Sequence, residues 1–140
     1  MKYWINTVSR DHVNIGKTNG IIQANHGKMA PLKRLGVGDK VVYYSPKTKF
    51  DGGEPLKAFT AIAEISDEDI YQVELSDNFK PFRRKAKYEN CNEFKIESLI
   101  ENLSFIEDKK KWGYMFRFGL FEITEQDFNI IYSKMKKDGS

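Results

Sequence analysis

Gly36-Val37-Gly38-Asp39-Lys40-Val41-Val42-Tyr43-Tyr44-Ser45-Pro46 is the stretch on which the fold turns. A tight Gly-Asp turn feeds a run of β-branched and aromatic residues, the composition that suits a strand half or fully buried in a sheet. Pro46 is expected to end that strand, because proline has no N–H to give to a ladder. Working outward, Tyr3 to Val8 reads as a first strand. Ala58 to Ile65 and Ile70 to Leu75 read as two more, with a Gly52-Gly53 loop before them. Phe82 to Tyr88 is a basic strand and Tyr114 to Ile123 a last one. About six strands result.

Between them lie short helical signals. Residues 9–36 read as irregular to helical, punctuated by Gly16, Gly20 and Gly27, with a short helix over 28–35 that carries Pro31 in its first turn. Ile96, Leu99, Ile100 and Leu103 recur at i, i+3, i+4, i+7 and predict a helix. The final helix opens at Thr124, with Asp127 as a weak form of the capping box, and buries Phe128, Ile131, Tyr132 and Met135. Lys134, Lys136 and Lys137 sit at its C-terminal end, where the helix dipole favours cations. The expected fold class is therefore mixed α+β, a barrel of about six strands flanked by short helices, in one domain over residues 1–140.

Composition narrows the function. The chain has 140 residues, 40% hydrophobic and 14% aromatic, enough for one core and rich in side chains that stack on flat ligands. Its formal net charge is +3, too small to identify a nucleic-acid binder by itself. Cys91 is the only cysteine, which excludes an intramolecular disulfide and a thiolate zinc site. The N-terminus runs directly into a strand without a signal peptide's apolar stretch, and no apolar run is long enough to span a bilayer. A reducing compartment, the cytoplasm, is expected.

Catalytic signals are sparse. His12 and His26 are the two histidines, and neither belongs to a metal-ligand spacing. Ser9 lies near His12 without a nucleophile-elbow sequence, and Lys17-Thr18 only superficially echoes a phosphate loop. The expectation is a binding module with no catalytic residue, metal or cofactor. Lys80-Pro81-Phe82-Arg83-Arg84-Lys85-Ala86-Lys87-Tyr88 says more, with five cations in nine residues. Alternation turns Arg83, Lys85 and Lys87 outward, as a set suited to phosphates. Arg84 turns to the apolar side, where it needs a partner: a carboxylate such as Glu64 or Glu122, or the rim of a ligand pocket. Lys109-Lys110-Lys111 before Trp112 is a second basic cluster.

The order of these motifs resembles the EVE domain, a PUA-like domain related to YTH domains. The resemblance is carried by Tyr3-Trp4-Ile5-Asn6 with Ser9 and His12, by Gln23-Ala24-Asn25-His26-Gly27-Lys28, and by Leu35 through Lys47. It continues through Phe59-Thr60-Ala61 and Pro81-Phe82-Arg83-Arg84 to Trp112-Gly113-Tyr114-Met115-Phe116-Arg117-Phe118-Gly119. It implies a pocket that accepts an extruded modified base, associated in the EVE family with modified cytosine in DNA and in YTH domains with methylated adenine in RNA. By family position the pocket takes Asn6, Ser9 and His12, then Gln23, His26 and Lys28, then Tyr44, Ser45 and Pro46. Trp112 or Phe116 adds an aromatic face. Tyr43 and Tyr44 point to opposite faces, and Tyr44 is assigned to the pocket because Ser45-Pro46 then continues its rim. At Gln23-Ala24 the chain departs from the cage tryptophan of YTH domains. A PUA-type RNA-binding module, and a small-molecule or enzymatic use of the same pocket, are the alternatives.

Overall fold

Val41, Val42, Tyr43 and Tyr44 are all buried, and successive side chains point into different clusters. A strand buried on both faces reads as a continuous apolar run. The computed structural model, which describes residues 1–137, places this run at the middle of the sheet. In chain order the elements are β1 (Tyr3–Thr7), α1 (Arg10–Asn19), β2 (Ile21–Ile22), α2 (Met29–Lys33) and β3 (Lys40–Lys47). They continue with β4 (Pro55–Gln72), β5 (Phe82–Tyr88), β6 (Phe94–Lys95), β7 (Leu120–Ile123) and α3 (Glu125–Met135).

The seven strands form one mixed sheet in the order β2-β5-β4-β3-β1-β7, with β6 beside the first half of β4. β1 and β3 run parallel, and the other pairs are antiparallel. The mixed α+β class is as expected. The barrel is not closed by hydrogen bonds: among the described residues β2 and β7 are the two ends of the path. Ile5, Val42, Tyr44, Phe59 and Ile62 pack with α3 on one face; Trp4, Val41, Tyr43, Ala61, Ala63 and Ile65 pack with α2 on the other. No helix among the described residues is long and apolar enough to cross a membrane.

Several boundaries differ from the expectations, each for a traceable reason. β3 runs through Pro46 to Lys47, because β4 absorbs the missing donor with a register shift between Ser45 and Lys47. A second shift lies between Tyr43, opposite Ala61, and Tyr44, opposite Phe59. The extra residue, Thr60, inverts the alternation of β4, so that Phe59 faces one core and Ala61 the other. The strands expected at 58–65 and 70–75 are one long strand, interrupted by a bulge between Ile65 and Ile70. The helix expected at 96–103 is only a 3-10 turn over Ile96–Leu99, and the apolar stripe packs without helical continuation. Tyr114–Phe118 is likewise a 3-10 turn, leaving only Leu120–Ile123 as strand. At α3, Thr124 Oγ1 accepts from the Asp127 amide. The Asp127 carboxylate turns away to Ser104 instead, so half of the capping box is used elsewhere.

Arg84 is buried as the alternation of β5 requires, but its partners are not carboxylates. Glu64 pairs with Lys40 and Glu122 with Lys2. The Arg84 guanidinium donates to the Leu32 carbonyl at 2.9 Å, to the Leu35 carbonyl, and twice to Asp67 at 3.1 and 3.0 Å. Of these acceptors, Leu32 lies in the last turn of α2 and Leu35 just beyond its end, where the helix dipole favours a cation. The third belongs to the β4 bulge. Burial lowers the pKa of Arg84, opposed by the charges of Asp39, Asp67 and Glu68. The residue ties helix, bulge and strand together.

Candidate functional site

β1 ends at Thr7, and the chain then opens rather than closes the space beside it. The end of β1, the start of α1, the segment after β2, the end of β3 and the 116–119 turn surround a cleft of about 820 Å³. The tip of the β4–β5 hairpin, through Leu75 and Phe79, completes the wall. A volume of this order accommodates a drug-sized or nucleotide-sized ligand.

The segment after β2 is held in an unusual conformation. Asn25, His26 and Gly27 all have positive φ, at 46°, 62° and 85°. Such a run is uncommon for non-glycine residues and accumulates where geometry serves a site. Gly27 is required by contact as well: a Cβ there would sit 2.4 Å from the Cβ of Pro81. The loop is thus pressed against the hairpin. Gln23 is fixed at both ends: its carbonyl accepts from Asn6 Nδ2 at 2.8 Å and its Oε1 accepts from Arg83 Nε at 2.5 Å.

Polarity and charge in the cleft are one-sided. Lys28, Lys47, Arg83 and Arg117 line it with His12 and His26, and no carboxylate does. None of the four cations takes part in an ion pair among the described residues. The modest surplus of the whole chain is therefore concentrated here. Tyr43 adds a hydroxyl that burial, then the neighbouring Tyr88, pushes well above its ordinary range. Tyr88 is itself pushed up to about 12 by burial. Tyr88 Oη donates to the Ile21 carbonyl at 2.7 Å and lies 2.9 Å from Tyr43 Oη, so both hydroxyls stay protonated. Thr7 Oγ1, in the cleft lining, and Asn6 Oδ1, behind it, are buried without a hydrogen-bond partner among the described residues. Buried polar atoms left unpaired cost free energy unless something completes them.

The apolar lining is exposed. Ile15, Phe50, Leu75, Phe79 and Phe118 are five of the eight large hydrophobic residues that the fold leaves in solvent, and all five line this cleft. Phe50, 54% exposed, is the centre of an aromatic group. It stacks on His12 with ring centroids 5.7 Å apart and meets His26 edge-on at 5.9 Å. Clustered apolar exposure of this kind marks a binding surface.

The residues expected from sequence divide into four groups. Ser9, His12, Gln23, His26, Lys28 and Pro46 come together in the cleft, joined by Arg83. Asn6 stands behind the wall as the support of Gln23, and Ser45 is wholly buried, with its hydroxyl on the Val8 carbonyl and against Thr60. Tyr44 and Trp112 line a second, smaller hollow, and it is Tyr43 that faces the large cleft. Lys85 and Lys87 are exposed and lie outside the cleft lining. Ser9 Oγ donates to Asp11 at 2.6 Å, and no hydrogen bond joins it to the His12 ring among the described residues. Thr7, Phe50, Phe79, Arg117 and Phe118 escaped the sequence reading. A phenylalanine inside the polar loop Lys47-Thr48-Lys49-Phe50-Asp51-Gly52-Gly53 was the available signal, since no core claims it.

Comparison with known proteins gives a consistent result. The family model described as the EVE domain matches residues 2–134. A protein of Mycobacterium avium named "UPF0310 protein" is 50% identical over 135 residues, covering 96% of this chain and 98% of that one. A protein of Mycolicibacterium vanbaalenii with the same name is also 50% identical over 135 residues, covering 96% and 93%. Among solved structures, the NMR structure of a Rhodopseudomonas palustris protein superposes with a TM-score of 0.57 at 18% identity, covering 96% of this chain and 92% of that one. At that identity the likeness concerns the fold.

Proposed function

This chain belongs to the EVE-domain family, and on that premise we propose that its cleft binds nucleic acid by accepting one extruded modified base, a modified cytosine of DNA. One observation carries the reading: a cleft of nucleotide size, lined by exposed aromatic rings and by four cations that form no ion pair among the described residues, without a carboxylate in its lining. Phosphodiesters need the cations, a flipped base needs the aromatic faces, and its hydrogen-bonding edge needs fixed polar groups. Gln23, Tyr43 and Thr7 are the polar groups in place. Gln23 is held by Asn6 and Arg83, so its amide meets the ligand without first being ordered.

The same reading makes the protein a binder and not an enzyme. Ser9 is engaged by Asp11 and His12 by Phe50, an arrangement that does not pair the two as nucleophile and base. The test is binding across matched DNA and RNA oligonucleotides that differ in a single cytosine or adenine modification, followed by mass spectrometry after long incubation. Tightest binding to one modified DNA, with unchanged mass, is the expected result. Equal affinity for unmodified structured RNA, or conversion of the base, would overturn it.

A further inference from the structure

Beside the main cleft lies the second hollow, about 350 Å³, and the two are not independent. Thr7, Pro46, Phe116 and Arg117 line both. The walls special to the second are Tyr44, Trp112 and Lys57. Arg117 stands on the shared ridge. It has no carboxylate partner among the described residues, and its guanidinium stacks 4.1 Å from the Tyr114 ring and 5.6 Å from Phe118. Two exposed rings thus orient a cation between two apolar hollows.

The second hollow is also built with strain. Lys57, opposite the register shift at Pro46, has φ of 53° although it is not a glycine. Its ammonium lies 6.0 Å from the Trp112 ring centroid. A non-glycine residue in this region costs free energy and persists where the surroundings require it. Here it follows from the bulge that proline forces on the sheet, and it leaves a second cation on the rim of an aromatic hollow that has no carboxylate.

We infer that this surface holds two consecutive nucleotides: the modified base in the main cleft, the neighbouring base against Trp112, and the phosphate between them on Arg117. The inference rests on the reading of the main cleft as a nucleotide site. A cation between two aromatic-lined hollows matches the alternation of base, phosphate and base along a single strand. Lys57 then serves the phosphate beyond the second base. The ligand is accordingly a strand splayed over the ridge, and the second hollow, which offers a stacking face and little hydrogen bonding, favours no particular base.

The test compares 5-methyldeoxycytidine monophosphate with the two dinucleotides that add one thymidine on its 5′ or its 3′ side. Affinities are measured by NMR titration of the full chain, together with tryptophan fluorescence. Trp4 is 2% exposed and buried in the core, so quenching reports on Trp112. One of the two dinucleotides is expected to bind at least about fivefold tighter than the mononucleotide, the lower end of what one base–aromatic stack contributes. That probe alone quenches the fluorescence, and Trp112→Ala brings the dinucleotide-to-mononucleotide ratio to near one. If the mononucleotide binds but neither dinucleotide gains affinity or quenches, the two-nucleotide site is wrong and the main cleft stands. If no nucleotide binds at all, both readings fall.

Discussion

Arg83 Nε donates to Gln23 Oε1 at 2.5 Å across 60 residues of chain, joining β5 to the strained segment after β2. Arg83 shares its strand face with Lys85 and Lys87, yet only Arg83 lines the cleft. The three cations that look equivalent along the sequence are therefore separable. Arg83→Ala should weaken oligonucleotide binding by about tenfold or more, since it removes a charged contact and releases Gln23. Lys85→Ala with Lys87→Ala should change affinity by less than about threefold. Titrations at several salt concentrations check this, because each lost phosphate contact flattens the slope by ~0.7–0.9. A larger effect from the Lys85 and Lys87 pair would move the phosphate path off the cleft.

Phe50 offers a cleaner separation of binding from stability. It is 54% exposed and contacts the two histidines at the cleft mouth. Phe50→Ala should leave thermal melting within about 0.5 kcal/mol of wild type. Affinity for the modified oligonucleotide should fall by the ~1–3 kcal/mol of a base–aromatic contact. Unchanged affinity would mean that the ring does not meet the base.

Arg84 should behave in the opposite way. Arg84→Ala leaves the Leu32, Leu35 and Asp67 carbonyls without their donor in a buried site, and should cost about 3–5 kcal/mol of stability. Arg84→Lys should not restore it, because one ammonium cannot reproduce the fork that reaches α2 and the bulge together. Chemical denaturation of the two variants decides the matter, and full rescue by lysine would refute the geometry.

Asp39 provides the pH dependence. Burial pushes its carboxyl up, but donation from the Gly36 and Lys2 amides and the Trp4 indole, with the N-terminal charge, outweighs burial and holds it below the ordinary 3.8. Its folded pKa lies below the unfolded one, so its contribution is complete above 3.8 and disappears as pH falls through the folded value. Asp39→Asn should lose about 1–3 kcal/mol at pH 7, and the gap from wild type should narrow in strongly acidic solution. Melting curves from pH 7 to pH 2 follow it; a gap independent of pH would mean the charge is not what matters.

The amino-acid order alone determined what depends on neighbours in the chain. The β-branched and aromatic run Val41 to Tyr44 made a strand, Arg84 was placed inward by the parity of Phe82 to Tyr88, and Thr124 marked the start of the last helix. Six of the cleft residues were legible because the motifs that carry the family resemblance are local. What only the tertiary structure decided is which buried face stays open. Alternation says that Tyr43 and Tyr44 part company, but α3 and the 3-10 turn at Phe116 cover all of the Tyr44 side except the smaller hollow beside Trp112, while the Tyr43 side borders the space between α1 and the β4–β5 hairpin. The bulge at Thr60 is equally invisible in composition, because it depends on a register set by strands far apart in the chain. Periodicity is a property of a few residues; coverage is a sum over distant ones, and a binding cleft is the part of an apolar surface that this sum leaves uncovered.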